Sequence, residues 1–359
     1  MAAYEWETDM TDRRTVLSTL AGAALALVAG PAAAQDVTLR LHQFLPAQAV
    51  VPSQILDVWA DNVEADSGGR IEIERFPSMQ LGGRPPELID QVQDGVADVI
   101  WTVVGYTPGR FPTTEVFELP FFTEDARAAS YAYWTLFEEE MAAEFDGVHV
   151  LGTWVHGPGV IHSAEPVETL ADLEGLKIRG GSRLVTEMLE QAGAEPIGMP
   201  VPGIPEALSK GVLDGATIPW EVTGALKVPE LVEFHTEFEG PALYTLTFVM
   251  AMNKDVYAGL PDDLKAAIDD NSGLAFSIFA GGTQAAADAP AREVAVEAGN
   301  EIFTISEAEA APWREAVQPV YDEWIAGIDA AGRDGQALID RARALMAEYD
   351  SALDTYAAK

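Results

Sequence analysis

The chain has 359 residues, and its 58 acidic residues outnumber its 21 Lys and Arg residues, which gives a formal net charge of −37. This length is enough for two domains with separate cores. A negative field of this size repels nucleic acid and anionic membranes, so neither is an expected partner, and an anionic ligand would need a cation placed locally in its site. The absence of cysteine excludes disulfides, thiolate metal sites and a cysteine nucleophile.

Residues 1–34 have the pattern of an export signal. Arg13 and Arg14 precede an apolar run from Leu17 to Ala29, and Ala32-Ala33-Ala34 offers small residues for cleavage. The run is shorter than the roughly 20 residues that a membrane-spanning helix needs. The pattern predicts a twin-arginine signal peptide cleaved near Ala34, and a periplasmic product. Met10 is an alternative to Met1 as the start of the chain.

Short apolar strands alternate with helices in the first part of the mature chain. The order is strand, helix, strand, helix, strand, over Val37–Leu41, Ser53–Ser67, Arg70–Phe76, Glu87–Gly95 and Ala97–Val103. This order predicts a parallel α/β sheet, in which ligands lie beyond the carboxyl ends of the strands. The side chains expected there are His42, Gln43, Phe44, Trp101 and Tyr106.

A second β-α-β unit is predicted from about residue 150 to about residue 240. One strand delivers Arg179 to a glycine turn, and another leads to Trp220 and Glu221. A guanidinium and an aromatic ring at two strand ends predict a pocket for a small organic acid. Arg183, one turn into the next helix, fits a structural ion pair as well as it fits a ligand contact.

The remaining elements predict how the chain closes. A helix is expected over Asp125–Phe145 and a strand over Tyr244–Asn253. Helical patterning then continues from Pro261 to about Asn300, longer than a usual helix and long enough to bridge two lobes. Two amphipathic helices follow, over Trp313–Ala326 and Gln336–Thr355. Without repeats or linkers, the domains must be divided by chain crossing.

Six segments together resemble one protein family. They are 78–83 (SMQLGG), 91–98 (QVQDGVAD), 117–122 (FELPFF), 173–179 (LEGLKIR), 205–215 (PEALSKGVLDG) and 252–254 (MNK). With these segments the chain resembles the periplasmic solute-binding proteins of TRAP transporters, the DctP family, over essentially its whole mature length. The resemblance implies a two-lobed α/β periplasmic-binding-protein fold with crossing strands and a long lobe-spanning helix. Lobe I would comprise residues 35–151 and 244–283, and lobe II residues 152–243 and 284–359.

The resemblance also implies a ligand class. In this family the arginine at the position of Arg179 pairs with the ligand carboxylate, which suits its planar fork of donors. Ile218 stands where better-known members often have asparagine, and Trp154 and His156 lie where they often have a second arginine. Fewer polar donors and more aromatic surface favour an aromatic or other bulky monocarboxylate, with a C4-dicarboxylate or a 2-oxo acid as alternatives.

Two other classes of protein remain as alternatives, an exported enzyme and a ligand-sensing subunit. The sequence lacks the Gly-x-Ser-x-Gly, His-Glu-x-x-His, phosphate-loop and dinucleotide motifs, so an enzyme is not expected. The expected protein is a monomer without cofactor or metal that delivers its ligand to the small and large TRAP membrane subunits. Glu221 is the one candidate for a cation beside the ligand. The predicted ligand-binding residues are His42, Gln43, Phe44, Trp101, Tyr106, Trp154, His156, Arg179, Arg183, Trp220 and Glu221.

Overall fold

The computed structural model describes residues 36–356, so the predicted signal peptide lies outside the described residues. The described residues belong to one unit that contains both sheets. Within residues 36–356 there are eleven strands, which are β1 (Val37–His42), β2 (Ile71–Phe76), β3 (Val99–Val103), β4 (Val148–Val155), β5 (Gly159–Ser163), β6 (Lys177–Gly180), β7 (Glu195–Gly198), β8 (Gly215–Pro219), β9 (Phe234–Phe238), β10 (Thr247–Asn253) and β11 (Glu301–Ile305).

The first sheet has the strand order β2-β1-β3-β10-β4. Its first three strands are parallel, as their alternation with helices predicts. Strand β10 runs antiparallel to both of its neighbours, so the whole sheet is mixed. Both β3 and β10 are buried along their full length, which is why they are nearly continuous apolar runs.

The second sheet has the order β11-β9-β5-β8-β6-β7. Strand β6 is parallel to β7 and β8, whereas β5 is antiparallel to β8 and β9. The chain passes from the first sheet to the second between β4 and β5, returns between β9 and β10, and passes to the second sheet again between β10 and β11. These three crossings confirm the two-lobed α/β fold with crossing strands.

Helices cover both sheets. Among the described residues there are thirteen α-helices, which are α1 (Asp57–Asp66), α2 (Leu88–Gln93), α3 (Ala126–Leu136), α4 (Arg183–Gln191), α5 (Ile204–Ser209), α6 (Trp220–Leu226), α7 (Lys254–Gly259), α8 (Asp262–Asp269), α9 (Gly273–Ala286), α10 (Asp288–Glu297), α11 (Ala311–Ala316), α12 (Gln318–Ala330) and α13 (Gly335–Tyr356). None of these helices is both long and apolar enough to cross a membrane.

The stretch expected as one long helix is three helices, α8, α9 and α10. The first break follows α8, where the side chains of Asn271 and Ser272 bond back to the last carbonyls of that helix. The second falls at Ala287, because Pro290 in the first turn of α10 has no N–H to continue the ladder. The run still spans the lobes, since α9 packs on α3 and β4 of the first sheet and α10 on α6 and β11 of the second.

The last helix lies against the first sheet's helices. Helix α13 packs on α3, where the rings of Tyr131 and Tyr349 lie 5.8 Å apart. Arg341 of α13 also pairs with Glu139, just after α3. The lobe boundaries that the resemblance implies, including the assignment of residues 284–359 to lobe II, stay a prediction.

Candidate functional site

A small cavity lies where strands of the two sheets end. Phe44 follows β1 and Tyr106 follows β3, while Arg179 and Ile218 come from β6 and β8. This is the position that the rule for ligands beyond the strand ends predicts. The lining residues are Phe44, Leu45, Trp101, Val103, Tyr106, His156, Arg179, Val201, Ile218, Pro219, Glu221, Val222, Leu246, Phe248 and Gln284.

Arg179 is the cation of this cavity, and it is only 1% exposed. Its Nε donates to the carbonyl oxygen of Met199 at 2.8 Å, and its Nη1 to that of Thr217 at 2.9 Å. Among the described residues, its Nη2 has no hydrogen-bond partner. Because a guanidinium stays charged, a buried Nη2 of this kind calls for an anion. The two carbonyls fix the orientation of the Arg179 guanidinium, so that it can bind a carboxylate without rearrangement.

Aromatic rings form one wall of the cavity. The ring of Trp101 stacks on Phe44 at a centroid distance of 4.6 Å and on Phe248 at 5.3 Å. The ring of Trp154 lies nearly parallel to that of Trp101, at a centroid distance of 6.3 Å. Flat apolar walls with a few polar groups are typical of sites for small organic ligands. This wall suits a planar ring.

A second polar group faces the same cavity, formed by Glu221 and Gln284. Trp154 Nε1 donates to Gln284 Oε1 at 2.9 Å, and Gln284 Nε2 donates to Glu221 Oε1 at 2.6 Å. Burial raises the pKa of Glu221 to about 8, and the nearby Asp288 adds to the rise while Gln284 opposes it. Glu221 is therefore mainly a neutral acid at neutral pH.

Contacts beside the cavity join the ends of the two sheets. The Tyr106 hydroxyl, after β3, accepts a hydrogen bond from the backbone N–H of Val201, after β7, at 2.9 Å. Arg183 at the start of α4 pairs with Glu115, which follows β3, and with Glu187 at 2.7 Å. Arg183 thus bridges the sheets and does not line the cavity.

Three other predicted residues do not line the cavity, and their polar atoms are hydrogen-bonded elsewhere. His42 Nδ1 bonds to Gln91 at 2.8 Å, and Gln43 bonds to the backbone of Leu45. Trp220 Nε1 donates to Glu237 Oε2 at 3.1 Å, and its ring packs against His162 and His235. Trp220 and Glu221 are adjacent at the start of α6, so their side chains point in different directions and only Glu221 faces the cavity.

Two predicted residues take part differently from what the sequence indicates. His156 lines the cavity, but its Nδ1 donates to the carbonyl oxygen of Gly157 and its Nε2 accepts from the N–H of Leu246 at 3.0 Å. Burial also lowers the pKa of His156 to about 4, so it is neutral with no donor left for a ligand. Trp154 stacks on Trp101 and does not line the cavity, but its hydrogen bond to Gln284 connects it to a residue that does.

The structure adds residues that the sequence did not indicate. Phe248 comes from the buried strand β10, and Gln284 from α9, far from every predicted strand end. The available signal for Gln284 was a single amide in a helix otherwise made of apolar and small residues. In the part of the chain that the structure describes, no cluster of three acidic or histidine side chains is placed to hold a metal ion.

The raised pKa of Glu221 predicts a pH-dependent effect of Glu221→Gln. Between about pH 4.5 and 8 the unfolded chain loses this proton before the folded chain does, so the carboxyl makes folding less favourable as pH rises. The glutamine variant escapes this loss. We compare the melting temperatures of the variant and the parent, both without ligand. We expect the variant's melting temperature minus that of the parent to increase from pH 5 to pH 8.5. The exposed Glu190→Gln is the control, and a pH-independent difference for Glu221→Gln would contradict the assignment.

Known proteins resemble this chain along most of its length. Residues 43–327 match the DctP family model, described as bacterial extracellular solute-binding protein, family 7. The outer membrane transporter protein TsaT of Comamonas testosteroni is 26% identical over 346 residues, which cover 93% of this chain and 98% of TsaT.

Solved structures of TRAP solute-binding proteins are more similar still. One from Rhodoferax ferrireducens, in complex with copurified benzoate, is 48% identical with a TM-score of 0.87, and the match covers 88% of this chain and 99% of that one. Another, from a marine metagenome and specific for aromatic acid ligands, was crystallised with 3-hydroxybenzoate. It is 42% identical with a TM-score of 0.86, at the same coverages of 88% and 99%.

Proposed function

Because the chain belongs to the DctP family of bacterial extracellular solute-binding proteins, which serve TRAP transporters, we propose that its cavity captures an aromatic monocarboxylate. The observation that carries the proposal is the buried Nη2 of Arg179, which lacks a partner among the described residues and lines a cavity walled by aromatic rings. The carboxylate would pair with Arg179, and the ring would lie along Trp101. Relatives that are 48% and 42% identical, with bound benzoate and 3-hydroxybenzoate, support this ligand class.

The charges of the cavity disfavour a C4-dicarboxylate. Arg179 is the only cationic residue among the described residues that line it, and His156 is neutral. A second carboxylate would therefore be buried without a cation, at a large desolvation cost. An aromatic 2-oxo acid would keep the pairing with Arg179 and belongs to the same ligand class.

The proposal includes export and delivery. The protein would be exported by the signal peptide at residues 1–34, work in the periplasm as a monomer, and deliver its ligand unchanged to the small and large membrane subunits. Lobe I (35–151 and 244–283) and lobe II (152–243 and 284–359) would close on the ligand. A binding role requires no covalent step, and the cavity provides a fixed cation and an apolar wall.

A ligand comparison tests the proposal on the mature protein. Copurified ligand is first removed by partial unfolding and dialysis, and calorimetric titrations then compare benzoate, phenylpyruvate, succinate and the uncharged benzamide. We expect benzoate to bind at least about tenfold tighter than benzamide and succinate, because only an aromatic carboxylate satisfies both Arg179 and the ring wall. Tighter binding of succinate than of any aromatic acid would contradict the proposal.

A further inference from the structure

In the second polar group of the cavity, one oxygen atom of Glu221 has no hydrogen-bond partner among the described residues. We infer that Glu221, positioned by Gln284, selects aromatic acids that carry a hydroxyl group on the ring away from the carboxylate, at the meta or para position. This inference rests on the proposed function, since it assumes that Arg179 holds the carboxylate. It goes further by naming the substituent that the other end of the cavity recognises.

The hydrogen bonds identify which oxygen of Glu221 is free. Trp154 Nε1 can only donate, so the oxygen of the Gln284 amide faces Trp154 and its NH₂ group faces Glu221. Glu221 Oε1 therefore accepts from Gln284. Glu221 Oε2 has no partner among the described residues, although Glu221 is only 6% exposed. A buried polar atom without a partner needs one from the ligand or from water.

The protonation state of Glu221 favours a hydroxyl group as that partner. Because Oε1 accepts from Gln284, the proton of the neutral acid sits on Oε2, which can then donate. If Glu221 ionises, Oε2 becomes an acceptor instead. A hydroxyl group accepts in the first case and donates in the second, so it satisfies Glu221 in both. An unsubstituted ring can form a hydrogen bond with neither form of Glu221. A carboxylate can form one only with the neutral form, because it can only accept.

Glu221 lines the cavity, which is where we expect this contact to form. It also borders an open groove beside α9 and α10, but its Oε2 has almost no accessible surface and so is not solvated from that groove. Trp101 lines the same cavity, and its indole Nε1 is likewise buried without a partner among the described residues, so a hydroxyl oxygen within its reach would gain a second donor. An ortho hydroxyl would instead bond to the ligand's own carboxylate, next to Arg179.

Isothermal titration at pH 6.5 with ligand-free mature protein tests the inference. The probes are benzoate and its 2-, 3- and 4-hydroxy derivatives. We expect the 3- or the 4-hydroxy derivative to bind at least about fivefold tighter than benzoate, the gain typical of one net hydrogen bond, and the 2-hydroxy derivative to show no such gain. In Glu221→Leu the affinity for the preferred hydroxy derivative should fall to nearly that for benzoate. In Glu221→Gln, which keeps a polar group at that point, the preference should remain above that of Glu221→Leu.

The outcomes separate this inference from the proposed function. If the wild-type protein binds benzoate as tightly as each hydroxy derivative, the hydroxyl subsite is wrong while aromatic acid binding stands, and Oε2 then holds water. The subsite is also wrong if Glu221→Leu keeps the full preference. If none of the four acids binds, both the subsite and the proposed function fail. If a variant does not fold, the wild-type affinities for benzoate and its hydroxy derivatives still test the hydroxyl subsite.

Discussion

Arg179→Ala is expected to weaken benzoate binding by at least about 30-fold. The wild-type guanidinium is buried and fixed by two backbone carbonyls, so it meets the carboxylate without reorganisation. Its removal leaves the carboxylate of a bound ligand buried without a counter-charge, and truncation of one partner of a buried charged pair costs about 2–5 kcal/mol. Calorimetric titration of the purified variant, freed of any bound ligand, gives the affinity directly.

The control variants separate the loss of the cation from damage to the fold. Arg179→Lys keeps a charge but loses the planar fork, so it should recover only part of the affinity. Arg84, whose side chain is 80% exposed, provides the matched arginine-to-alanine control, with no expected effect on binding. Melting temperatures without ligand show whether the carbonyls that Arg179 satisfies matter for stability. Benzoate affinity within threefold of wild type in a folded Arg179→Ala protein would refute the anchoring role.

Sequence patterns are most informative for residues that a strand end alone brings to the cavity. Phe44, Trp101, Tyr106 and Arg179 were expected beside the cleft because each lies in or just after a strand, and all four line the cavity. Which neighbouring side chain faces the cavity was less predictable. Trp220 and Glu221 start the same helix, and the rotation of that helix, set by packing against distant residues, turns the glutamate toward the cavity and the tryptophan away from it.

Most features that the sequence does not predict depend on contacts between residues far apart in the chain. Gln284 reaches the cavity only because α9 packs on the first sheet, and nothing in its local pattern specifies that contact. The direction of β10 is likewise set by where the chain crosses back between sheets, so a fully apolar strand predicts burial but not an antiparallel pairing. Pro290 did mark the end of α9 locally, although the helical periodicity around it continues.

The ion pair between Arg183 and Glu115 leads to the second large expected effect. Arg183 follows β6 of the second sheet, and Glu115 lies in a 3₁₀ turn, Thr114–Glu118, after β3 of the first sheet. The pair therefore forms only when the two sheet ends are together. If the lobes close on the ligand as proposed, Arg183→Ala should favour an open conformation and weaken benzoate binding roughly 10- to 30-fold, although Arg183 does not contact the ligand, because affinity falls with the fraction of protein that can close.

The size of the expected affinity loss in Arg183→Ala follows from how deeply Arg183 and Glu115 are buried. Glu115 is nearly enclosed, with burial raising its pKa to about 7 against the opposing effect of Arg183, whereas the Arg183 side chain is 36% exposed and partly screened by solvent. The expected loss thus lies between that of a surface pair and that of a fully buried one. Stopped-flow measurements should show it mainly as faster dissociation, since the contact holds the closed state together.

Glu187 makes this prediction specific to the contact between the sheets. It pairs with the same arginine, but from one turn along α4, so Glu187→Gln removes a charge partner of Arg183 without separating the sheets. We expect Glu115→Gln to speed dissociation several-fold and Glu187→Gln to change it less than twofold. Since Arg183→Ala already removes the pair, adding Glu115→Gln should have little further effect. Equal effects of the two glutamine variants, or additive effects in the double variant, would mean that Arg183 stabilises only its own helix.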